Sequence, residues 1–162
     1  MGKGEAGLAR SVEELESKRN WKALLKTLDR GPDNYEAEKA LHRIGDASTA
    51  EALIKMIARH AKAYGEARER VQSKEEQAAQ ALQEATDHRQ VFGIGADPAP
   101  AERKQAEVQE RHLMPLTRTL SCIWSEDQTR QAMARPDLGD KWVQKELESA
   151  AHAAVLNWSP RP

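Results

Sequence analysis

The side chains that can do chemistry in this chain are few and widely spaced. Five histidines, His42, His60, His88, His112 and His152, are present, and none stands three or four residues from another. A metal site needs convergent ligands, so this spacing predicts no metal site. His152 follows Glu148 by four residues, and an imidazole beside a carboxylate is ordinary on a helix surface. His42 and His112 are expected on helix surfaces or edges. Cys122 is the only cysteine, which excludes an internal disulfide and a multi-thiolate site. Its neighbours Leu120 and Ile123 point to a buried thiol rather than a nucleophile. Gly93-Ile94-Gly95 after Val91-Phe92 has a superficial likeness to a dinucleotide loop. A helical stretch precedes it, no third glycine follows in place, and Pro98 and Pro100 block a phosphate-binding helix start. Aspartates and glutamates are mixed with lysines and arginines at four-residue spacing, as in Glu66–Arg70 and Glu107–Arg111, the pattern of helix-surface support. The expectation is therefore no catalytic residue, no cofactor and no metal.

Composition sets the class. The chain has 162 residues, enough for one domain with a real core. Charged residues make up 31% and aromatics only 4%, and the abundance of Ala, Glu, Gln, Lys and Arg favours helix nearly throughout. The formal charge of −1 leaves no global field to draw in nucleic acid or an anionic membrane. No apolar run approaches the ~20 residues of a membrane span. The opening MGKGEAGLAR lacks the apolar core of a signal peptide, and Ala6 stands where a myristoylation signal carries Ser or Thr. A cytoplasmic protein is the default expectation.

The clearest stretch is residues 33–60, DNYEAEKALHRIGDASTAEALIKMIARH. Ala37, Ala40, Leu41 and Ile44 have the spacing of one buried helical face. Asp33 with Glu36 is a capping-box start, after Pro32. Gly45 is expected to end this helix in the left-handed conformation. Asp46 and Ser48 are candidate caps for the next helix, which buries Ala50, Leu53, Ile54 and Ile57. The pattern recurs upstream. Trp21, Leu24, Leu25 and Leu28 fall on those four positions at one constant offset, and Leu8, Val12 and Leu15 fall on Ala37, Leu41 and Ile44. A fixed offset within ~20–50 residues, covering two helices, marks a helical solenoid. One helix pair cannot bury its apolar face alone, so pairs stack.

The run EKALHRIGDASTAEALIKMI resembles the HEAT repeat, in its short bacterial form related to the phycobilisome-lyase type. Ala40-Leu41, Ile44-Gly45-Asp46 and Ala50-Glu51-Ala52-Leu53-Ile54 carry the resemblance. Members usually have Pro shortly after the turn glycine, where this chain has Ala47 and Ser48. The resemblance covers about two units, over residues 11–60. It implies an all-α fold, a short HEAT-like α-solenoid that binds another protein through its stacked second helices. Lyases of that group assist chromophore attachment, so an accessory enzyme subunit is one alternative. Some HEAT-like proteins are DNA glycosylases, which brings in Trp124 with Glu126 and Asp127. Such an enzyme needs more repeats and a strongly basic groove, so nucleic acid is not the expected partner.

The remaining chain divides around that unit. Residues 1–10 read as a flexible tail. Ser11 and Asn20 cap the two upstream helices. Residues 61–113 read as an inserted polar helical hairpin, with a thin seam of Tyr64, Ala67, Val71, Ala78, Leu82 and Ala85 and a kink at Gly65. Residues 114–162 read as divergent C-terminal helices capping the stack. Ser125 and Asp140 cap the last two, and Val143, Leu147, Ala150 or Ala151, Ala154, Val155 and Trp158 face inward. Trp142 is the tryptophan expected to be exposed. The expected partner-binding residues are Lys22, Lys26, Glu51, Lys55 and Arg59 on the repeat face, with Val91, Phe92 and Ile94 at the hairpin loop. Homo-oligomer formation through the seam is a further alternative.

Overall fold

The computed structural model describes residues 11–87 and 96–160. Among them are seven α-helices and no strand: α1 (Val12–Ser17), α2 (Trp21–Arg30), α3 (Tyr35–Ile44), α4 (Ala47–Asp87), α5 (Pro100–Ile123), α6 (Glu126–Met133) and α7 (Lys141–Asn157). A short 3-10 turn, Pro136–Leu138, joins α6 to α7. No helix among the described residues is long and apolar enough to cross a membrane.

Local chemistry starts most of these helices where the sequence places them. The Ser11, Asn20 and Ser125 side chains each accept a backbone N–H three residues on, and Asp140 accepts from Trp142 and Val143. Ser125 and Gln128 close a full capping box. One expectation shifts: Asn34, not Asp33, caps α3, its Oδ1 accepting from Ala37 N at 3.0 Å. Of the two candidate caps of α4, Asp46 is the one used, accepting from Thr49 N at 3.0 Å.

Gly45 ends α3 at φ −58°, outside the left-handed region. Its missing side chain matters for space instead. A Cβ there would lie 2.7 Å from the Leu41 carbonyl oxygen and would collide with Ile123 of α5. This glycine lets α5 approach the α3–α4 junction.

The long hairpin of α4 and α5 is the frame of the molecule. α4 has 41 residues, about 60 Å at 1.5 Å per residue. It runs unbroken across residue 60, joining the repeat's second helix to the polar segment in one rod. α5 likewise runs across residue 113. The two are antiparallel, fastened by Lys74–Glu102 at 2.6 Å and by Arg103–Glu75. At the opposite end, α1 packs on α2 and α3, α2 on α3 and α4, and α3 on α5, while α7 packs on α5, α6 and α4.

The core lies where these layers meet. Leu24, Leu28, Leu41, Leu53, Ile54, Ile57, Leu116, Leu120 and Leu147 are its largest wholly buried apolar side chains. All apolar positions of the repeat pattern in α3 and early α4 are buried, and so are Leu24, Leu25 and Leu28 of α2; Trp21 is half-buried. The seam of α4 is covered over its first half only. Ala67 and Val71 are buried, whereas Ala78 and Leu82 are exposed. α5 begins opposite Lys74 and Glu75, so the last turns of α4 extend past it.

Three further expectations are corrected. α4 continues through Gly65 without a break, and a Cβ at Gly65 would run into the Trp142 ring. Trp142 is half-buried rather than exposed, with Tyr64 meeting it edge-on at 5.4 Å. Val155 is 64% exposed and Trp158 37%. The buried stripe of α7 ends at Ala154, although Asn157 on the next turn still donates to Ser121 of α5 at 3.1 Å.

Candidate functional site

Three helices bring polar side chains to one place on the rim of the core. Asp29 follows the buried Leu28 near the end of α2. His60 stands three residues after the buried Ile57 in α4, hence on the inward face. Gln109 and His112 come from the facing side of α5. The antiparallel α4–α5 packing sets His60 opposite both, and α2 closes the group from the third side.

The geometry is tight. His60 is 8% exposed. Its Nδ1 lies 2.6 Å from Gln109 Oε1, and its Nε2 lies 2.9 Å from Asp29 Oδ1. The His112 ring stacks flat on the His60 ring, with centroids 4.7 Å apart and planes within 5°. The Arg59 guanidinium reaches both Asp29 oxygens at 3.0 Å and lies 3.3 Å from His60 Nε2. One ligand-type atom each from Asp29, His60 and His112 falls within a 4.8 Å span.

Electrostatics follow from these neighbours. Burial pushes the Asp29 carboxyl upward, but the His60 hydrogen bond and the Arg59 charge outweigh it and hold it below the ordinary aspartate range. Burial, and then the adjacent His60, hold His112 below the ordinary histidine range, so its ring is neutral at pH 7. An ionised carboxylate, a neutral imidazole and a second imidazole with one nitrogen engaged make a donor set of the kind divalent metal ions take.

Sequence reasoning missed this group. His60 and Asp29 are 31 residues apart, and His60 and Gln109 49 apart, so no motif joins them. The one available signal was His60 at an inward position of an otherwise apolar stripe. His112, expected on a surface or edge, is half-buried against it.

A second cluster surrounds Cys122. Its Sγ lies 3.7 Å from His42 Nδ1, and His42 Nε2 is 3.3 Å from the Thr119 hydroxyl. A depression of about 490 Å³ opens there, lined in part by Arg19, His42, Arg43 and Cys122. The thiol is half-buried rather than buried as expected. Glu38 is the third member a nucleophilic triad would use. It is held by Arg118 at 2.8 and 3.0 Å and stands 3.7 Å from His42, too far for a tight orienting bond.

The partner-binding residues separate into three groups. Lys22, Lys26 and Lys55 are exposed and form no ion pair among the described residues; Lys22 lies over the Trp21 ring. Glu51 is tied to Arg135 at 2.8 Å, and Arg59 to Asp29. Val91, Phe92 and Ile94, like His88, lie outside the described residues. His152 pairs with Glu148 at 3.3 Å on an exposed face. No protein-family model matches this chain, and neither a curated protein nor a solved structure matches it.

Proposed function

We propose that this protein is a non-enzymatic interaction module of HEAT-like design that binds an acidic segment of another protein across α2 and the first turns of α4. The observation that carries the reading is the set of exposed lysines Lys22, Lys26 and Lys55 on two neighbouring helices. The Arg59–Asp29 pair fastens those helices side by side. The placement of α1 against α3 and α2 against α4 supports the stacked-pair reading. Glu51 and Arg59 serve the fold, so the expected five-residue face narrows to its lysines. Unpaired surface cations attract an acidic partner and set its register more than they add raw affinity.

The test is triple charge reversal, Lys22→Glu with Lys26→Glu and Lys55→Glu. Capture of the protein partner from native lysate should weaken at least ~10-fold, with helicity unchanged. Reversal at Lys104 and Arg111 on α5 should leave capture intact. Undiminished capture by the triple variant would remove the assigned face. A second reading, pairing of chains along the far end of α4, is favoured by the exposed Leu82. Light scattering distinguishes a dimer from a monomer.

A further inference from the structure

We propose that Asp29, His60 and His112 form a binding site for one divalent transition-metal ion of the zinc class. This goes beyond the interaction reading and does not rest on it.

The argument begins at His60. Gln109 Oε1 accepts the proton of Nδ1 at 2.6 Å. Nε2 is the ring nitrogen that remains, and it lies 2.9 Å from the carboxylate Oδ1 of Asp29. The Arg59 guanidinium, 3.0 Å from that Oδ1 and 3.3 Å from Nε2, is the cation beside them when no metal is bound. A metal ion in its place also engages the ring of His112, which otherwise only stacks on His60. A metal ion uses all three. It takes Nε2 of His60, Oδ1 of Asp29 and a ring nitrogen of His112.

The dimensions fit. Zinc binds imidazole nitrogen and carboxylate oxygen at about 2.0–2.2 Å, so tetrahedral ligands stand about 3.3 Å from one another. The Asp29–His60 separation of 2.9 Å is already close to that. The three atoms lie within 4.8 Å of one another, and the half-buried His112 ring, stacked flat on His60, must turn out of the stack to aim a nitrogen at the ion. The supporting shell is present as well. Gln109 fixes the tautomer of His60, the role an outer-shell acceptor plays at metal-binding histidines. Arg59 Nη2 lies 3.0 Å from both Asp29 oxygens, so the ion takes Oδ1 only when the exposed Arg59 guanidinium keeps its bond to Oδ2 alone. Two nitrogen donors and one oxygen donor suit zinc, cobalt, nickel or copper rather than calcium or magnesium. With three protein ligands, the fourth position is open to water or to a carboxylate.

The test uses the whole chain after chelator treatment, titrated with Co²⁺ and then Zn²⁺. One equivalent of Co²⁺ should produce a saturable visible band that Zn²⁺ abolishes. His112→Ala and Asp29→Asn should weaken binding at least ~100-fold, and Gln109→Leu ~10–100-fold. His42→Ala and His152→Ala should leave it unchanged. Nitrogen-15 spectra of the unsubstituted protein make the outcome independent of whether a variant folds. Zn²⁺ should shift the ring signals of His60 and His112 and leave those of His42 and His152 in place. No saturable binding below ~1 mM, or shifts confined to the other histidines, would overturn the site.

Discussion

Asp46 and Gly45 show how much a junction depends on single side chains. The Asp46 carboxylate accepts the Thr49 N–H at 3.0 Å, and the Asp46 N–H donates to the Thr49 hydroxyl at 3.2 Å. The bond from the Thr49 backbone favours the charged carboxylate and holds its pKa below the ordinary aspartate range. A depressed carboxylate stabilises the fold above its unfolded value and loses that contribution as pH falls through the folded value. Asp46→Ala should therefore lower stability by ~1 kcal/mol at pH 7. The gap between variant and parent should shrink below the ordinary value of 3.8. Urea melts at several pH values measure it, and a gap that persists in acid would contradict the assignment. Gly45→Ala and Gly65→Ala should each destabilise by ~1–3 kcal/mol through overpacking, against Ile123 and Trp142 respectively. An Asp or Ser cap is legible in sequence because its partner lies three residues away. The demand for glycine at 45 and 65 was not, because the obstructing atoms arrive from α5 and α7. The His60 cluster escaped notice for the same reason: its members meet only once α2, α4 and α5 are packed.

The helices report their own conflicts. α1 ends in a Schellman turn, with Asn20 N bonded to Leu15 O and Arg19 N to Glu16 O, each at 2.8 Å. The left-handed position of that turn usually belongs to glycine, and here Arg19 occupies it at φ 49°. Arg19→Gly should raise stability by ~1 kcal/mol, read as an increase in melting temperature. No change or a loss would mean that Arg19 makes a compensating contact. α4 carries a gradient along its length. Leu53 to Val71 is packed on α5 and α7, while Ala78 to Leu82 is exposed on every side. Backbone amides over residues 78–86 should exchange with solvent far faster than those over 53–71, by mass spectrometry or NMR. Equal protection would mean that the far end is covered, most simply by a second chain. The 3.6-residue apolar period made α2, α3 and early α4 legible. The merging of α4 into one rod was not, because a polar alanine-rich stretch continues a helix as readily as it starts one.

At the scale of the whole molecule, the α4–α5 hairpin holds everything else in place. α1, α2 and α3 stack on one end, α7 packs along it, and α6 packs on α7. The all-α class was legible from composition, and Leu15, Leu24, Leu25 and Leu28 of the upstream repeat were legible as buried from periodicity; Val12 and Trp21 are half-buried, and Leu8 lies outside the described residues. The inward face of α7 was legible up to Ala154. Beyond it, Val155 and Trp158 continue the apolar spacing yet are exposed, which no pattern within α7 encodes. The exposed lysines of α2 and α4 were legible as surface positions. That Arg59 and Glu51 would be consumed by internal ion pairs was not, since Asp29 and Arg135 lie far away in sequence. The measurement that tests the interaction reading most directly is hydrogen exchange of this protein with and without its captured partner. The account predicts new protection on α2 and on the first turns of α4, around Lys22, Lys26 and Lys55. Protection confined to the apolar end of α7, at Val155, Leu156 and Trp158, would contradict it.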